Sequence, residues 1–142
     1  MTDSISAENE RNWAAAAHAS TLLNLVIPGI GGVIGALLIW LTHKGKSPRV
    51  AFHGKQAFVF QTALLVLLLI VVGGSWTLGF IVSFATIGFG AIIAVPVMIL
   101  TLFLGITIGL AGMVYSLYGA YQVYQGKDFI YPWVGNWVKR QG

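Results

Sequence analysis

Three histidines, four carboxylates and a scatter of amides are the side chains in this sequence best suited to acid–base or metal chemistry at a site. His18, His43 and His53 lack the mutual spacing of a metal-ligand set. Each could reach a haem or chlorin axially, but no sequence feature around them asks for one. Asp3, Glu8 and Glu10 crowd one end, and Asp128 stands alone near the other. None lies inside an apolar stretch, so neither a buried acid–base pair nor a proton relay is legible. The chain has no cysteine, which removes thiolate metal sites, disulfides and a cysteine nucleophile. Its glycine stretches match no phosphate-cradling loop. The expectation is a protein that is not an enzyme and holds no metal or cofactor.

Two polar and small-residue patterns remain. In "HGKQAFVFQ", advancing about 100° per residue puts His53, Gln56 and Gln61 on one arc of about 140°, with Lys55 on the other side. An amide facing hydrocarbon without a partner is costly, so this arc must face other helices, or a groove open to water or client chains. Lys55 can run its stem to the lipid headgroups. Further on, Gly105, Gly109, Gly112, Ser116 and Gly119 fall within an arc of about 80° on one helix. That is small-xxx-small spacing, which lets another helix approach closely. At the end of the chain, Trp133 and Trp137 with Lys139 and Arg140 read as anchors at the membrane–water interface.

The elements that must hold these residues follow from composition. The 142 residues are 57% hydrophobic and 8% charged, with a net charge of +4 and a mean hydropathy of +0.83. A soluble domain carries about 25% charged residues; so few cannot cover a water-facing surface. The fold class is all-α, a polytopic integral membrane bundle of about four membrane segments with an N-terminal helical hairpin, in a single domain 1–142. Residues 12–43 form either that hairpin, turning at Pro28 and Gly29, or one kinked span; the hairpin is preferred. A basic loop follows at 43–55. Then come a span at 51–72, ended by "GGSW", an apolar segment at 77–94 of uncertain crossing, a long helix at 97–125 and an interfacial tail at 126–142. The residues before "AHA" at 17–19 lack a basic start and an apolar core, so a cleaved leader is not expected. The cations flank apolar runs, which argues against nucleic acid and for a multi-pass protein of a bacterial inner membrane with the loop 43–55 cytoplasmic.

Four stretches, "WAAAAHAS", "IPGIGGVIGALLIWLTHK", "HGKQAFVFQ" and "YQGKDFIYPW", stand in an order that resembles a widespread bacterial membrane domain of unknown function. That domain is grouped with the small Tic component of the chloroplast inner-envelope import translocon. The resemblance spans about residues 11–134, chiefly "GKQAFVFQ" at 54–61 and "GKDFIYP" at 126–132. It implies a four-segment bundle that helps to move or assemble membrane proteins, and it transfers no catalytic residue. The stretch between Gln61 and Gln125 is longer here than in that group. Two functions follow as expectations: a translocation or membrane-biogenesis factor that binds client chains, or an accessory subunit of a larger respiratory, photosynthetic or transport complex. Both take membrane lipid and other membrane proteins as partners.

Overall fold

The computed structural model describes residues 6–141, and Asp3 lies outside them. Among the described residues every regular element is helical. Ser6 caps α1 (Ala7–Ala19): its Oγ accepts the Asn9 N–H at 3.3 Å, and Glu8 and Glu10 lie in the first turn, where the helix dipole favours negative charge. The chain tightens into a 3₁₀ segment (Ser20–Leu25) and turns through Gly29 (φ 79°) into α2 (Gly31–His43). The turn makes the hairpin, not the kinked span. Gly31 explains the closeness of its arms, since a Cβ there would lie 2.3 Å from the Leu23 carbonyl oxygen. Asn24 Oδ1 accepts the Gly32 N–H at 2.9 Å, and the Ser20 hydroxyl contacts the Gly32 carbonyl at 3.1 Å.

Helix α3 (Pro48–Leu68) begins where Ser47 Oγ accepts the Val50 N–H and Pro48 takes the first helical position, a place that needs no N–H. The basic loop is therefore 44–47, shorter than the expected 43–55; Arg49 and Lys55 already belong to the helix. The second correction concerns "GGSW". It does not end the span: a wide π turn (Leu69–Gly73) absorbs the two glycines, and the helix runs on as α4 (Gly74–Ala85). A helix in apolar surroundings has no water to take over its N–H groups, so it keeps its ladder through glycine. The chain reverses at 86–90, and α5 (Ala91–Tyr124) continues through Pro96 to the end of the apolar region. Residues 77–94 thus form no separate segment; they are the end of one long helix and the start of the next. Helix α6 (Val134–Lys139) closes the chain.

Among the described residues, Pro48–Ala85 and Ala91–Tyr124 are the two helices long and apolar enough to cross a membrane. Of about four expected membrane segments, two have that length. Helix α2, 13 residues, rises only about 20 Å, short of the roughly 30 Å hydrocarbon layer, and α1, although its 3₁₀ extension lengthens it, starts with Glu8, Glu10 and Arg11. The most apolar windows of the two long helices are only 11% and 17% buried within the protein. That is the wrong pattern for core helices of a soluble domain and the right one for helices solvated by lipid.

The chain divides into two compact units. Residues up to Ala63, together with those from Met113 onward, form one; Leu64–Gly112 forms the other. The Leu64–Gly112 unit has no charged side chain. Within it α4 and α5 are joined by the Trp76 indole N–H donating to the Met98 carbonyl (3.1 Å) and by Ser75 Oγ at 2.7 Å from Thr101 Oγ1. A Cβ at Gly79 would meet Met98 Sδ at 2.6 Å. The other unit packs Ala14, Ala15, Val50, Val123, Phe129 and Tyr131 into its core.

Candidate functional site

The core of that first unit is polar at its centre. His53 and Gln56 lie one turn apart on α3 and are fully buried. The Gln56 amide satisfies the segment that follows α5: its Nε2 donates to the Phe129 carbonyl at 2.9 Å, and its Oε1 accepts the Tyr131 N–H at 3.3 Å. These two bonds fix the orientation of the amide, so Nε2 is also the donor to His53 Nδ1 at 3.0 Å. His53 Nδ1 is then a lone pair, and His18 Nε2, also 3.0 Å from it, must donate. His18 Nδ1 lies 3.0 Å from the Tyr131 hydroxyl, which lies 3.0 Å from Ser116 Oγ. With the Tyr131 proton on Ser116, His18 Nδ1 would donate too, leaving a buried imidazolium with no carboxylate beside it, at a cost of several kcal/mol. Turning that proton onto His18 lets every member of the chain stay neutral.

Aromatic rings seal the network. Phe60 stacks on Tyr131 with centroids 4.1 Å apart, and Phe129 meets His18 edge-on at 5.4 Å. Burial pushes the Tyr131 phenol well above its usual pKa, and the Ser116 contact opposes this only in part. Charge is kept to the rim. Arg49 and Asp128 pair loosely at 3.8 Å, with Asp128 mostly exposed, a contact worth little.

The residues expected to share one polar face divide between two tasks. His53 and Gln56 join the network described above, whereas Gln61 Nε2 donates to Ser20 Oγ at 3.2 Å and ties α3 to the N-terminal hairpin. The small-residue seam divides as well. Gly105, Gly109 and Gly112 face Val72, Leu68 and Leu64 of this same chain, Gly119 faces the Phe129 ring, and Ser116 belongs to the polar network. Lys55 Nζ donates to Gln141 Oε1 at 3.2 Å and sits over the Trp40 ring, and Lys139 Nζ sits over Phe52. The Arg140 Nε contacts the Asn136 carbonyl at 3.4 Å. Trp133 and Trp137 are exposed, but Trp133 precedes α6 with φ 63°, so the inward face of that helix is Gly135 and Val138. Sequence reasoning missed His18, Tyr131 and the Phe129 carbonyl as members of the network. The available signal was a lone histidine in an alanine run, facing a tyrosine 113 residues away.

This arrangement has no exposed nucleophile and no carboxylate at its centre. Among the described residues no three His, Cys, Asp or Glu side chains gather as a metal set. What the geometry does is fix four chain segments, α1, α3, α5 and the stretch after α5, to one another without a charge. Fold and site together define a helical membrane protein with a polar packing centre. The sequence pattern of the magnetosome magnetite crystal formation protein family, MamF/MmsF, matches residues 9–138, and the chain belongs to that family. None of the curated proteins and none of the solved structures matches it.

That assignment overturns the resemblance to the Tic component, and the translocation reading goes with it. The motifs that carried the resemblance have a packing explanation here. Gly54 lets α3 approach α2, since a Cβ there would lie 2.8 Å from the Trp40 Cα. "GKQ" at 54–56 and "DFIY" at 128–131 are joined through Gln56. Short helical membrane proteins can share such solutions without sharing a task.

Proposed function

We propose that this chain is an accessory membrane protein of magnetite formation that acts by occupying and organising the membrane, not by offering ligands to the mineral and not by catalysis. The family assignment supports the setting. The observation that carries the mechanism is the distribution of charge: no charged residue stands between Lys55 and Lys127. A hairpin of that composition presents no carboxylate to iron on the side it reaches. The cations at 44–55, 127 and 139–140 mark the opposite, cytoplasmic side. With α2 too short to cross and α1 charged through its first turns, the reading has two inserted helices and both chain ends on that side. The neutral network of His18, His53, Gln56 and Tyr131 supports a structural role, because it holds the unit together with nothing left to react.

Electron microscopy of crystals in cells lacking the chain tests the reading. Complementation with a variant carrying Asp3→Asn, Glu8→Gln, Glu10→Gln and Asp128→Asn should restore crystal number and size as well as the unaltered chain does. A carboxylate-free variant that reaches the membrane at normal level yet leaves the crystals defective would reject it in favour of mineral contact.

A further inference from the structure

The reversal at 86–90 is built unlike a turn that meets water. Every N–H from Thr86 to Ala94 is donated within the turn or to the flanking helices: Thr86 to Val82, Ile87 to Phe84, Gly88 to Ser83, Phe89 to Thr86, and Ala91 to Gly88. The Gly90 N–H goes to the Thr86 hydroxyl at 2.6 Å, and that hydroxyl itself donates to the Val82 carbonyl. Only the carbonyls of Ala85 and Ile87 accept none of these bonds, and an unpaired carbonyl is the better tolerated of the two backbone groups. The side chains at the tip are apolar and open: Phe84 and Ile87 are 92% exposed and Phe89 79%.

Ile87 sharpens the argument. It holds φ at 54°, a left-handed conformation in which a β-branched residue is an outlier and where glycine or asparagine is usual. A turn in water could take asparagine there. A turn in hydrocarbon could not do so without burying an unpartnered amide.

We propose that the α4–α5 turn is embedded in the bilayer, its tip solvated by acyl chains of the far leaflet, so that the hairpin presents no water-exposed loop on the far side. This rests on the membrane insertion proposed above. The geometry allows it: counted through to Ile87, residues 62–87 rise at most about 39 Å, and a tilt of about 40°, at the upper end of the range of membrane helices, keeps that length inside a hydrocarbon layer of about 30 Å.

Because the chain has no cysteine, single variants Ile87→Cys, Phe89→Cys and Lys46→Cys can each carry a nitrobenzoxadiazole probe. The full-length protein is labelled in detergent and reconstituted into phosphatidylethanolamine–phosphatidylglycerol vesicles opened by a pore-forming peptide. Dithionite, which stays in water, should reduce the probes at 87 and 89 about tenfold more slowly than the probe at 46, and doxyl-labelled acyl chains should quench them. Reduction at 87 and 89 as fast as at 46, in protein that still floats with the vesicles, overturns the embedded turn and leaves insertion standing. Protection from dithionite without doxyl quenching also overturns it, since protein and not lipid would then cover the tip. Protein that fails to float with vesicles overturns both readings. Either probe position suffices if the other variant does not fold.

Discussion

Gln56 makes three hydrogen bonds with one side chain, to Phe129, Tyr131 and His53. Replacing it by leucine keeps the volume and strands a buried carbonyl, a buried N–H and an imidazole. Each orphaned group costs about 1–3 kcal/mol, so Gln56→Leu should lower the unfolding temperature in detergent far more than Lys139→Gln at the rim. Equal effects from the two would mean that the network carries no stability. Tyr131 gives a pH prediction with a definite sign. Its phenol is buried and its pKa raised, whereas the unfolded phenol ionises near its ordinary value of about 10. The contribution of Tyr131 is therefore complete below that value and is lost as pH rises above it. Stability measured from pH 9 upward should fall faster for the unaltered chain than for Tyr131→Phe, which starts lower because it gives up the contacts to Ser116 and His18. Parallel curves would refute the assignment of that titration to Tyr131.

At the scale of the element, the glycines of α5 are not equivalent, although sequence spacing gives them the same role. A Cβ at Gly105 would lie 2.5 Å from Val72 Cγ2, one at Gly112 would lie 2.4 Å from Leu64 Cδ2, and one at Gly109 would meet nothing closer than 3.8 Å. Leu64 presents the end of a flexible side chain; Val72 is β-branched and stiff at χ1. Gly105→Ala should therefore cost about 1–3 kcal/mol by overpacking, Gly112→Ala less, and Gly109→Ala close to nothing. The order can be read from thermal unfolding of the three variants in one detergent, and a Gly109→Ala variant as damaged as Gly105→Ala would show that the α3–α5 packing differs from that described. The same scale explains the misplaced boundaries. Gly73 and Gly74 signal a stop when water competes for the backbone. In hydrocarbon they are absorbed by a wide turn, and the chain reverses only where Ile87 and Gly88 take positive φ.

For the whole molecule, the orientation proposed above should depend on a few cations. Lys44 and Lys46 sit in the four-residue loop between α2 and α3, close to the start of the first long helix, where positive charge acts most strongly on topology. Replacing both by asparagine, together with Arg49→Gln, should yield a mixed population in which part of the protein exposes its C-terminal tail on the other side. Protease protection of a C-terminal tag would measure that fraction; a uniform population would mean that something other than these charges sets the orientation.

The sequence by itself determined that this is a helical membrane protein, that its lysines and arginines border the apolar runs, and that the small residues from Gly105 to Gly119 share one face of a helix. These are properties of composition and of one helix at a time, and they add along the chain without reference to partners. The family match is likewise a property of the whole sequence, and short motifs shared with another group were a poor substitute for it. Only the tertiary structure decided which polar groups meet. His18, His53 and Tyr131 touch because a hairpin, a long helix and a C-terminal segment close on one another. Nothing local to any of the three records that closure. The same holds for Gln56 and Gln61: helical periodicity put them on one arc, but what lies opposite each of them is set by chain segments far away in the sequence.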